Sequence, residues 1–486
     1  MAYEKEPYYH GVRVLETKTA KAEPRIGTAG LQVVVGTAPV HLAEEPAVHM
    51  PVICYSMEDC RKRLGYSEDF EHYTLCQSMD LNFNVLGIGP VIFINVLDPA
   101  KHKIAEAEKE YQVNKGQVQL SAEGILMESI TVKNGDAVLE KDKDYLLSRD
   151  DDGIVRITLL ETETFPDSSV VKAAYDRVDA SLVTTADIIG GYDVGTGAET
   201  GLETIRQIYP RFGAVPGFLL APGWSQEPAV AAVLAAKSEG INGIFRCENV
   251  VDLDTETARL YTDCENAKKT MGLNDPHTIV CWPMGQIGNK VYHMSAVYAA
   301  VAAGEDIKND DVPNLSPDNK LSQLTGTVLK DGTQVLMDNE QANVLNGNGI
   351  VTAINNSGWR IWGNNTAAYP EVADVKERWI CCRRFFSWWG NQFIMTYNEK
   401  VGNSSDKKLI ESICDSENIR GNGYVSQGKC AGIKIEYRED ENTAEDMMNG
   451  RVTLRQYLAP YTPAEDILNI LSFSPEMLRA AMEGGN

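Results

Sequence analysis

No stretch of this chain reaches the roughly 18 consecutive apolar residues that a membrane-spanning helix needs. The opening residues carry Glu4, Lys5 and Glu6 where a signal peptide would place its apolar segment. Both lacks point to a protein made and kept in the cytosol, where thiols stay reduced. Metal-ligand spacing is missing too. The seven histidines are scattered with no HExxH pattern, and none of the ten cysteines forms a CxxC pair. Cys54, Cys247 and Cys281 sit singly in apolar segments and Cys381 adjoins Cys382, so they read as small buried hydrophobes. Basic residues are in deficit, 45 against 69 acidic, for a formal net charge of −24. That balance repels phosphate backbones and sets nucleic-acid binding aside, while favouring solubility of a free subunit. No low-complexity tract interrupts the chain.

What is present is enough for a sizeable core. Hydrophobic residues make up 43% of the 486 residues, a length at which about two to four domains are expected. Residues 1–24 read as an extended N-terminal arm: a strand-like piece from Gly11 to Glu16, then a polar stretch to Pro24. With no hairpin partner nearby, that strand must pair with something distant or with another molecule. Over 25–110 the apolar runs Val33 to Val35, Pro51 to Tyr55 and Val91 to Val96 alternate with helical stretches at Ser56 to Leu64 and Glu71 to Asn84. This is the rhythm of an α/β layer. It returns over 183–345 with Phe218 to Leu220, Gly243 to Phe245 and Thr278 to Val280, and with helices expected near 225–239, 257–271 and 291–303.

Between these halves, 111–182 reads as a small inserted β domain, with an Asn134-Gly135 turn and short strands at Tyr145 to Leu147, Ile154 to Leu160 and Val170 to Tyr175. Residues 346–462 read as an α+β C-terminal domain. It opens with a hairpin from Gly349 to Asn365 and continues with an amphipathic helix showing Val375, Trp379, Cys382, Phe386, Trp389 and Phe393 on one face. Strands are expected at Gly432 to Tyr437 and Arg451 to Leu458. Residues 463–486 form a C-terminal arm, in which Ile467, Leu468, Ile470, Leu471 and Phe473 make a terminal strand before a polar tail. The expected fold is therefore an α/β core with an inserted small β domain, an α+β C-terminal domain and extended N- and C-terminal arms.

Three stretches approach the motifs of enzymes or ligand sites, and each lacks one requirement. Gly423 to Lys429 matches a nucleotide-binding loop, but Cys430 replaces the hydroxyl that magnesium needs, and a strand is expected where a helix should follow. Ser225 follows an apolar strand like a nucleophile at an elbow, yet Glu227 occupies the closing glycine position. Ser225 then reads as the cap of a helix starting at Gln226. Ser148 to Gly153 resembles a calcium loop whose twelfth position falls on Leu159, and reads as a solvated turn. His277 reads as a loop residue before a strand. No catalytic residue, cofactor or metal is expected.

Gly358 to Thr366, with Trp362, Gly363, Asn364 and Thr366, resembles the tryptophan-glycine-asparagine-arginine-threonine signature of contractile tail sheath proteins, with Asn365 where that family commonly has arginine. Gly11 to Glu16 looks like the family's N-terminal arm, and Val33 to Pro39 is similar to the segment after it. Glu439 to Asp446, Asn449 to Arg451 and Ala464 to Ile467 resemble its later elements, all in the same order. The resemblance implies a structural subunit that polymerises helically around an inner tail tube and contracts to drive that tube through a target cell envelope. Its implied partners are copies of itself with exchanged arms, the inner tail tube, and baseplate and tail terminator proteins, without nucleic acid or direct membrane insertion. The implied location is a virion tail or a phage-tail-like bacteriocin particle, assembled in the bacterial host cytoplasm. In such a lattice Val12, Val14, Leu15, Ile467, Leu468, Ile470, Leu471 and Phe473 would contact neighbours by adding strands to their sheets. The alternatives are a non-contractile coat or shell protein, or an α/β enzyme using Ser225 or the 423–430 loop.

Overall fold

The computed structural model describes residues 25–26, 28–150, 153–161 and 164–483. The strand expected at Gly11 to Glu16, with Val12, Val14 and Leu15, lies outside the described residues.

Strands that are apolar along their whole length must be covered on both faces, and the runs of this chain are. Gln32–Gly36 (β1), Pro51–Cys54 (β2), Val91–Asn95 (β3), Phe218–Leu220 (β4), Glu248–Asp252 (β5), Thr278–Cys281 (β6), Ile350–Asn355 (β7) and Trp359–Trp362 (β8) form one sheet. Its order is β8-β7-β6-β5-β4-β1-β3-β2. The inner pairs are parallel, and an antiparallel strand closes each edge. The covering helices are Met57–Leu64 (α1), Thr74–Met79 (α2), Pro228–Glu239 (α3) and Met294–Lys308 (α4). Ser56 and Asp59 start α1 with a reciprocal capping box. The alanine-rich α4 is buried from Met294 through Ala303, because small side chains let it lie deep against the sheet.

Several expectations are corrected. The strand placed at Gly243 to Phe245 is a turn closed by an Ile241–Phe245 bridge, since Asn242 and Gly243 both take positive φ. The real strand, β5, opens with Glu248 and Asn249. These polar residues are buried because Ser387 donates to Glu248, and Asn249 donates to Ser238 and Thr278. The β7–β8 hairpin belongs to the main sheet, so a boundary at 346 cuts through the α/β layer.

The helix expected from Val375 is two helices, Val375–Arg378 and Ile380–Tyr397 (α5), separated by Trp379 in extended conformation. Phe385 and Trp389 point into the core, while Phe386 and Phe393 are only half-buried. A long helix absent from the sequence reading spans Lys407–Ser426 (α6). Residues 460–474 adopt neither helix nor strand, and the tail expected to be merely polar folds into a helix, Pro475–Glu483 (α7).

The insert carries its own core around Val118, Leu120, Val132, Ile157 and Val171. A four-stranded sheet runs in the order Lys103–Gln112, Val170–Val178, Thr131–Asn134, Ala137–Val138, and a three-stranded one includes Tyr145–Arg149 and Val155–Leu159. Its first strand begins at Lys103, upstream of the boundary at 111.

Candidate subunit interface

Gly432–Tyr437 (β9) and Leu454–Ala459 (β10) form an antiparallel ladder from Gly432 opposite Ala459 to Tyr437 opposite Leu454. Strand β10 starts at Leu454, not at Arg451, because Thr453 is held in the preceding loop by both amide atoms of Asn442. Among the described residues the ladder has two strands only, so each keeps a backbone edge without a ladder partner.

Helices α5 and α6 back this ladder through Phe385, Trp389, Cys430 and Ile433, with Trp388 and Tyr424 packed against them. The Arg420 guanidinium lies 3.9 Å from the centroid of the Trp389 ring. A Cβ at Gly421 would sit 2.8 Å from the Ile433 side chain, so the helix needs glycine where it crosses β9. The whole layer is fastened to the core by Arg384 of α5. It is fully buried, pairs with Asp306 of α4 through both guanidinium nitrogens, and lies 4.4 Å over the Phe218 ring. Burial pushes the Asp306 carboxyl up to about 6, although the Arg384 guanidinium pulls it back down.

The motif residues brace the body internally. Gly363 has φ +125, donates to the Asp318 carboxylate at 2.7 Å, and leaves no room for a Cβ, which would meet Asn346 Oδ1 at 2.5 Å. The Asn364 side chain accepts from the Cys381 N–H, an orphan donor in the first turn of α5. Thr366 Oγ1 donates to the Glu377 carbonyl at 2.6 Å, and its N–H donates to that of Arg378 at 2.8 Å. Trp362, at the end of β8, is half-buried. Together these residues weld the exit of the sheet to the start of α5.

Beyond β10 the chain runs out into solvent. Ile467, Leu468, Ile470, Leu471 and Phe473 are between 77% and 87% exposed. The foot of this run touches the body at Tyr461, whose carbonyl faces Cys382 Sγ, and at Glu465. The Glu465 carboxylate accepts from Arg378 Nη2 at 2.5 Å and from Asn365 Nδ2 at 3.3 Å. Arg378 also donates through Nε to Asn365 Oδ1 at 2.9 Å, and its plane lies 4.3 and 3.9 Å from the Tyr369 and Trp379 rings. Asn365 stands where the resembling signature has arginine, and here its side chain is held by Arg378. Sequence reasoning missed Arg378, because its partners at 365, 369 and 465 follow no periodicity.

The catalytic look-alikes are built into the framework. Ser225 is buried and does not cap α3, whose N-cap is Glu227. Its Oγ accepts from the Asp252 N–H at 3.0 Å and donates to the Asp252 carboxylate, which Ser295 also holds through N–H and Oγ–H. Gly423 to Ser426 form the last turn of α6, where exposed carbonyls disfavour a phosphate. Lys429 is occupied by Asn309 and Asp310. Asp150 accepts from the Ile154 N–H and from Arg156, closing the turn before a strand that ends at Leu159. Asp151 and Asp152 lie outside the described residues. His277 directly precedes β6 and is buried. Among the described residues no group of three or more His, Cys, Asp or Glu side chains is placed to hold a metal ion, and no helix is long and apolar enough to cross a membrane.

No family model matches the chain. It is 25% identical over 497 residues to the tail sheath protein of Burkholderia phage BcepMu, covering 99% of both proteins. A chain in the baseplate of the anti-feeding prophage superposes on it with a TM-score of 0.57 at 15% identity, covering 98% of this chain and all of that one. A chain of the PVC sheath complex, an extracellular contractile injection system in its contracted state, gives 0.55 at 15% identity with the same coverage. At these identities the solved structures share the fold.

Proposed function

We propose that this chain, a contractile phage-type tail sheath protein by its relatives, is the repeating subunit of a helical tube whose copies are joined by exchanged terminal arms. The observation that carries this reading is the exposed apolar run from Ile467 to Phe473 on the same molecule as a two-stranded ladder whose β10 edge has no ladder partner, the β9 edge being held at Ile435 by the Asn418 amide of α6. A strand from a neighbour can complete that ladder by β-augmentation, each hydrogen bond netting about 0.5–1.5 kcal/mol. Because donor and acceptor surfaces differ, contact is head-to-tail and propagates as a filament.

In this reading the tube surrounds an inner tail tube, ends at baseplate and terminator proteins, and is assembled in the host cytoplasm. Contraction is a change between two packings of the same subunits, the later one lower in energy, with the arms as flexible tethers while the bodies turn. The relatives are structural proteins of tails, which accords with a subunit that assembles and does not catalyse.

Electron microscopy of purified protein tests the reading. Full-length chain is expected to give hollow striated tubes, and chains lacking 1–16 or 463–486 to give none. Closed shells from the full chain, or complete tubes from both truncations, would overturn it.

A further inference from the structure

The structure assigns to Arg378 the role of a positioning residue that fixes where the C-terminal arm leaves the body, by clamping Glu465 at its root. This rests on the reading of 463–483 as an exchanged arm. The residues from Tyr461 to Ser474 are almost all exposed and carry no ladder of their own. A chain so unsupported would sample many directions, and ordering it on a neighbour costs backbone conformational entropy at every residue. One fixed point near its base removes part of that cost in advance.

Glu465 has the geometry of such a point. Two donors from different segments converge on one carboxylate, Arg378 Nη2 at 2.5 Å and Asn365 Nδ2 at 3.3 Å. The guanidinium is itself immobilised by the Asn365 side chain at its Nε and by the Tyr369 and Trp379 rings beside it. A lysine could supply the charge but not the fork or the flat stacking faces. From this clamp, Asp466 to Ser474 fully extended can reach roughly 30 Å, which sets how far away the accepting second copy can lie.

The clamp is also coupled to the body. Arg378 immediately precedes Trp379 and α5, and its carbonyl is held by the Thr366 N–H of the motif brace. A rotation of α5 relative to the main sheet would therefore swing the arm root with it.

Proteinase K cleavage of the unassembled full-length subunit, with cut sites mapped by mass, tests this. In Arg378→Gln and Glu465→Gln, cuts between 460 and 466 are expected to rise about fivefold over wild type, the scale of one partly exposed charged pair. Cuts at 468–473, beyond the clamp, should not change. The double variant should be cut no faster than either single one, because both remove the same contact. Unchanged cutting in both singles, or a double variant showing the product of the two effects, would overturn the assignment. Glu465→Gln alters an exposed arm residue and keeps the test valid if Arg378→Gln fails to fold. Failure of arm exchange itself would appear separately, as tube formation by the chain lacking 463–486.

Discussion

Two charged side chains of opposite sign sit in the driest part of the molecule, and the C-terminal layer depends on them. Arg384 and Asp306 are both almost completely buried. Removing one leaves the other without compensation, whereas a matched apolar replacement of both can be close to neutral. Arg384→Met is therefore expected to lower unfolding stability by about 3–5 kcal/mol at pH 7, read from urea denaturation. The pH dependence has a definite sign. Burial raises the Asp306 carboxyl to about 6 even with its partner present, and without Arg384 nothing pulls it back. The folded variant then binds a proton more tightly than the folded wild type does, so its deficit relative to wild type shrinks as pH falls from 7 toward about 6 and levels off below it. A deficit that grows on acidification would contradict this account. Adding Asp306→Leu should recover most of the loss.

At the scale of elements, the exposed arm and the buried brace make opposite demands on the same chain. Ile467 and Leu471 are 84% and 87% exposed, so Ile467→Asp with Leu471→Asp should leave the melting temperature of the subunit within about 2 °C of wild type. The same pair should abolish tubes in micrographs, because a carboxylate cannot enter the apolar side of a completed ladder without a large desolvation cost. Tubes of normal length would show that the arm does not insert there. The exposed run from Ile467 to Phe473 was legible in the sequence as apolar, though not as the strand expected there, and the main strands as short β-branched runs. Helix α6 was not: its last turn carries Gly423, which opens the 423–430 loop look-alike, and glycine at 421 weakens a helical pattern although it is needed where the helix crosses Ile433 at close range. The break at Trp379 was hidden too. Its spacing continues the helical period of α5, but Thr366 and Asn364 hold the backbone on either side of it in another course. Buried polar openings defeat apolar-run reading in the same way, as in β5, where Glu248 accepts from Ser387 far along the chain and the Asn249 amide N–H donates to Ser238 and Thr278.

Over the whole molecule, hydrophobic burial is divided. The insert packs around its own cluster, while the α/β layer is a second, much larger one that takes in Val178 and, at its margin, Leu126 from the insert. The two are joined at a narrow stem. Lys103 lies opposite Val178 in the ladder, and the Asp179 N–H donates to the His102 carbonyl at 3.0 Å, so entry and exit are neighbours. A segment with adjacent ends and an independent core can be removed without stretching the host. Across the gap Arg149 donates to the His41 carbonyl, a contact whose loss should cost only about 1 kcal/mol where solvent can replace it. Replacing 103–178 by a short glycine-serine bridge should therefore leave a chain that unfolds cooperatively, with a urea midpoint close to that of the parent. Since the insert contains neither the arms, the ladder of β9 and β10 nor the clamp at Arg378, the shortened chain should still form striated tubes. If it folds but yields no tubes, the insert belongs to the lattice and its surface carries contacts between subunits.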